Sequence, residues 1–158
     1  NIVINDFSEN NTATIFALGS GQYEYSLNGL DYQDTPIFEN LLPGKYTVYV
    51  NDKNNCGYIT ETFYILDYPK FFTPNGDGYN DTWHIEGIQS RPLADIYIFD
   101  RYGKLLKQLS PLGDGWDGTY NGKLMPSTDY WFTITLDMLY GDDVSLIKTF
   151  KGHFSLKR

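Results

Sequence analysis

The sequence has little that would cross-link, span a membrane or react. Cysteine occurs once, at Cys56, so no disulfide can form within the 158 residues. It reads either as a small, partly buried side chain or as half of a bridge to chain upstream of residue 1. Histidine occurs twice, at His84 and His153, in separate expected strands. No Ser or Cys nucleophile stands beside a plausible base, and no zinc-ligand spacing is present. Both histidines read as strand-surface residues, and an enzyme is the least supported class. No apolar run approaches the roughly 20 residues that carry a helix across a bilayer. Positive charge is short as well, with 12 Lys and Arg against 20 Asp and Glu, a net charge of −8. Nucleic acid and anionic membrane both need a basic face, so neither is an expected partner, whereas a cation is compatible. The chain begins with Asn1 and shows no signal peptide, and it is expected to be a fragment of a longer parent.

What is abundant is aromatic: 14 Tyr and 10 Phe within an aromatic content of 17%. Helical periodicity is almost absent and period-two alternation dominates, which predicts an all-β protein. In the first half, strands are expected at 2–7, 12–18, 23–27, 36–39, 45–50 and 59–66. Gly19-Ser20-Gly21, Asn28-Gly29, Pro43-Gly44 and the stretch 52–57 punctuate them. In the second half they are expected at 82–86, 94–100, 104–109, 129–136 and 148–156, the last at a sheet edge. Pro69 extends the chain at Tyr68, which places a domain boundary between 67 and 68. The spacing suggests two tandem β-sandwiches, 1–67 and 68–158. A proline-bearing turn feeds an aromatic strand in both, at Pro43 to Tyr46 and at Pro126 to Tyr130, as if the halves shared a topology. Tyr46, Tyr49, Phe63, Ile96, Ile98, Tyr130, Phe132 and Ile134 are the expected core, and most aromatics are accounted for by packing.

The loop Asn75-Gly76-Asp77-Gly78-Tyr79-Asn80-Asp81 places side-chain oxygens at Asn75, Asp77 and Asp81, with the Tyr79 carbonyl between them. Alternating oxygens of this kind can surround calcium, with Glu86 as a further carboxylate. The helix-flanked calcium motif is not credible, because position six is Asn80 and the flanks read as strands. The alternative is a plain turn in which Asn75 and Asp77 bond local N–H groups.

A loop signature and four further blocks, in order, carry a resemblance: Phe71-Phe72-Thr73-Pro74-Asn75-Gly76-Asp77-Gly78, then Ile96 to Leu106 around Asp100-Arg101-Tyr102-Gly103, Gly115-Trp116-Asp117-Gly118 continuing to Lys123, Pro126 to Phe132, and Lys151 to Arg158. Together they resemble the type B (gliding-motility-associated) C-terminal sorting domain of proteins exported by the type IX secretion system of Bacteroidetes. The resemblance implies an immunoglobulin-like sandwich with no chemistry of its own. It also implies partners in the outer-membrane translocon and a SprF/PorP-like β-barrel, transit through the periplasm, and a final place at the cell surface or outside. Lys148, Lys151, Lys157 and Arg158, basic in an acidic chain, are the expected partner-binding residues. Tyr23 to Gly29, Phe38 to Val48 and Asn54 to Gly57 resemble immunoglobulin-like repeats of bacterial surface adhesins, which implies an adhesin as cargo. A calcium-dependent module binding carbohydrate or protein is the competing reading.

Overall fold

A computed structural model describes residues 1–54, 57–140 and 144–158, with backbone alone for 137–140 and 144–146. Cys56 lies outside the described residues, so the expectations for it stand where the sequence left them. Among the described residues there is no α-helix, only one 3-10 turn at Ile88–Ser90. The chain divides into two compact units, Asn1–Asp67 and Tyr68–Arg158.

The first unit is built from β1 (Ile2–Asn5), β2 (Thr12–Ile15), β3 (Tyr23–Ser26), β4 (Ile37–Phe38), β5 (Gly44–Asp52) and β6 (Tyr58–Ile65). One sheet runs β1-β2-β4 and the other β3-β5-β6, all antiparallel. This is the order A-B-E against C-F-G of the immunoglobulin sandwich. Alternation along each strand fills the space between the sheets. Ala13 and Ile15 from β2 meet Val48 and Val50 from β5 and Phe63 and Ile65 from β6, all buried. Each of the Ile, Val and Phe side chains contributes about 1.5–3 kcal/mol on burial. Tyr46 is only half-buried, stacked on Phe63 at 5.4 Å between centroids. Tyr49 departs from the expected core. The strand period turns it to the opposite face of β5, where it meets Tyr58.

The second unit is built around one five-stranded sheet in the order β7-β13-β12-β8-β9. Its strands are β7 (Phe71–Phe72), β8 (Asp95–Phe99), β9 (Leu105–Leu109), β12 (Asp129–Tyr140) and β13 (Val144–Leu156). β10 (Thr119–Tyr120) and β11 (Lys123–Leu124) form a separate hairpin on the Asn121-Gly122 turn. The inner sheet face presents Ile96, Ile98, Tyr130, Phe132, Ile134, Phe154 and Leu156, none more than 1% exposed.

Two expectations are corrected here. Residues 82–86 are not a strand. Among the described residues they form isolated bridges, at Trp83 with Trp116 and at Glu86, and no ladder, so the sheets of the second unit are one of five strands and one of two, against two of three strands in the first. Nor is the end of β13 an edge. Phe71–Phe72 pairs with it in parallel at Ser155 and Leu156, a contact between distant residues that local patterning does not announce.

The echo between the halves is real at one point. The Tyr46 hydroxyl donates to the Leu42 carbonyl at 2.9 Å, and the Tyr130 hydroxyl to the Pro126 carbonyl at 2.8 Å. Each tyrosine reaches back four residues from the start of a central strand, the geometry of the tyrosine corner of immunoglobulin-like folds.

Candidate functional site

Three features of the second unit were singled out in the sequence. The first is the loop 75–81. Gly76 (φ 80°), Gly78 (φ 89°) and Asn80 (φ 50°) wind it through left-handed conformations. That winding aims three N–H groups at Asp81: Asn75 (3.0 Å) and Gly76 (2.7 Å) donate to Oδ1, and Gly78 (2.7 Å) to Oδ2. Asn75 Oδ1 accepts from the Asp77 N–H, Asp77 Oδ1 accepts from the Tyr79 N–H, and Asn75 Nδ2 donates to Asp77 Oδ2. The Tyr79 carbonyl is approached by the Thr73 hydroxyl at 3.5 Å. The N–H donors of Gly76, Gly78 and Asn75 hold the Asp81 carboxyl below its ordinary range, Gly76 foremost.

The four expected calcium residues are therefore brought together, with the side-chain oxygens of Asn75, Asp77 and Asp81 turned to N–H donors and the Tyr79 carbonyl to the Thr73 hydroxyl. The converging dipoles form a nest for a carboxylate, and the chain supplies that carboxylate itself. A calcium cage needs oxygens converging on one point. The bonds are those of the plain-turn alternative, and Glu86 takes no part in them. Among the described residues no group of three or more His, Cys, Asp or Glu could hold a metal.

The second feature is the tryptophan segment. Trp116 is 1% exposed and pairs with Trp83 through reciprocal backbone bonds of 2.8 and 2.9 Å. Its Nε1–H donates to the Thr119 carbonyl at 2.8 Å, and its ring meets Tyr130 edge-on at 4.9 Å. Burial pushes the Asp117 carboxyl up, but the Thr119 hydroxyl and N–H and the charge of Lys107 outweigh it and hold the group below its usual range. Gly115 (φ 91°) admits the Trp83 carbonyl, which would stand 2.5 Å from a Cβ there. Gly118 (φ 77°) leaves room for Leu156, 2.7 Å from the same hypothetical atom. All four residues serve the architecture.

The third feature is the basic set, which the structure disperses. Arg158 is tied down: its guanidinium donates to the carbonyls of Met125 and Gly118, and its N–H to Ser127 Oγ. Lys157 lies over the Phe71 ring at 4.3 Å. Lys148 and Lys151 are both exposed, but their odd and even positions put them on opposite faces of β13. The two histidines are exposed too. His153 lies on β13 beside Trp131, with ring centroids 6.3 Å apart, and His84 follows Trp83 outside any strand.

Sequence reasoning passed over the outer face of the large sheet. Trp131 (41% exposed) and Phe71 (44%) stand there among Thr133, Thr149 and Lys151, with Phe99 opposite Trp131 and Tyr97 opposite Thr133. The alternation of β12, with Tyr130 and Phe132 inward, is the signal that could have found Trp131.

Fold and sites together define a small all-β module whose aromatic and glycine positions build the scaffold. Residues 66–153 match the family model of the CHU_C type IX secretion signal domain, and the chain belongs to that family. It thus carries a signal for export by the type IX system to the cell surface or the extracellular space, and that signal is read by the secretion machinery. No curated protein and no solved structure matches the chain.

Proposed function

We propose that the second unit is a type B sorting address. It takes a surface protein from the periplasm through the outer-membrane type IX translocon by docking on a SprF/PorP-like β-barrel. The observation that carries this reading is the family match, whose residues 66–153 fall almost wholly on the unit 68–158. The rest of that unit agrees with it: Asp81, Trp83, Gly115, Trp116, Asp117 and Gly118 are absorbed in turns and packing, and what is left to a partner is surface. The cargo is read as an adhesin. The A-B-E against C-F-G order of the first unit supports this, together with its likeness to adhesin repeats. The test fuses a signal peptide and a fluorescent reporter ahead of the full 158-residue chain in a type IX-competent host. The reporter is expected at the cell surface or in the medium, and it is expected to remain in the periplasm when the barrel gene is deleted. Export that ignores the deletion would remove the barrel from the reading.

A further inference from the structure

We infer that the open edge of β13, at Ile147, Thr149, Lys151 and His153, accepts an extended strand of the export machinery as an added strand of the sheet. This rests on the sorting reading above and names the surface that would serve it.

The argument begins with the direction of the backbone groups. Ser155 N–H donates to the Lys70 carbonyl and Lys157 N–H to the Phe72 carbonyl, while Leu156 N–H donates to Thr128 on the β12 side. Odd-numbered residues of β13 therefore point their backbone groups away from β12. The register with β12 runs without a break, so the same holds back to Ile147. β7 meets this ladder only at Ser155 and Leu156. Ahead of it Pro69 has no N–H to give, and its carbonyl is engaged by Trp83 Nε1–H at 2.9 Å. From Ile147 to His153 the ladder thus continues with no strand opposite it among the described residues, and all four side chains there are exposed.

The opposite edge of the sheet is different. β9 carries a register irregularity at Ile98/Phe99, the kind of bulge that blunts an edge against further pairing. The β13 edge is regular, and β7 already shows that it takes a strand in parallel. Lys151 sits in the middle of it, so the strand that fits best carries a carboxylate opposite that position. A second copy of this chain fits poorly, because both copies would bring the same lysine to the seam and a charge of −8 each.

The test uses the full chain in the reporter fusion. Lys151→Pro removes one outward N–H and leaves the β12 ladder intact, and Lys151→Ala removes only the charge. Export is expected to fall at least about tenfold for Lys151→Pro and about twofold for Lys151→Ala, since each outward hydrogen bond and its geometry weigh more than one exposed charge. A photo-crosslinking residue provides a second measurement that does not depend on the proline variant folding. At Thr149 it is expected to capture a component of the translocon during export, and at Gln108 on β9 it is not. Export of the parent fusion with a folded Lys151→Pro exported equally well, or with crosslinks at Gln108 and none at Thr149, would overturn the strand addition alone. A β13–β13 dimer in sedimentation would overturn it in favour of self-association. Failure of the parent fusion to export would instead strike the sorting reading.

Discussion

Asp81 shows how far one residue can organise a loop. It takes three backbone N–H groups from a seven-residue stretch, and those bonds hold its carboxyl below the ordinary 3.8. A carboxyl depressed on folding contributes stability that is complete above the unfolded pKa and is lost as pH falls through the folded one. The Gly76 and Gly78 amide resonances are therefore expected to stay fixed from neutral pH to about pH 4 and to shift below 3.8. Asp81→Ala should produce the same shift at pH 7. Because the carboxylate answers to N–H donors, calcium and a chelator are expected to give the same melting temperature. A calcium-dependent rise that Asp81→Ala abolishes would restore the metal reading. The sequence showed the glycines and the alternating oxygens, but not whether the oxygens would face a cation or the backbone. That choice depends on φ values such as the 50° at Asn80, which residue type permits without dictating.

At the scale of elements, the Trp83–Trp116 bridge ties the stretch ahead of β8 to the one ahead of β10. Trp83 is fully buried and stacks on Phe154 at 4.0 Å with planes 13° apart. Trp83→Ala is expected to cost about 3–5 kcal/mol in urea unfolding of the second unit. Gly115→Ala is expected to cost at least about 2 kcal/mol, since it forces a side chain into a left-handed backbone and against the Trp83 carbonyl. A cost near zero for Gly115→Ala would mean that the bridge is dispensable. Period-two alternation and turn residues made β1 to β6 legible to within a few residues, and likewise β8, β9 and β12. They failed where pairing is brief or distant. β7 and the β10–β11 hairpin are two residues per strand, too short to show a period. Residues 82–86 alternate like a strand because Trp83 and Ile85 point inward, although no neighbour pairs along their length. The four basic residues of 148–158 looked like one patch because sequence distance hides which face each occupies.

Over the whole molecule, charge and packing are divided unevenly. Residues 1–67 hold nine acidic and two basic side chains and residues 68–158 hold eleven and ten, so −7 of the net −8 belongs to the first unit. Each unit closes its own core, with aliphatic residues around Val48 in the first and an aromatic stack around Phe154 in the second. Residues 68–158 expressed alone are therefore expected to unfold in one cooperative transition, with a near-UV circular dichroism band from Trp83 and Trp116. A flat near-UV spectrum would show that the core needs the first unit.

The parallel pairing of Phe71–Phe72 with Ser155–Leu156 joins the two ends of the second unit. A chain emerging from a ribosome or a translocase cannot complete that sheet until Ser155 and Leu156 have followed Phe71 and Phe72 out. Copies cut short of Ser155 therefore leave β7 without its partner strand.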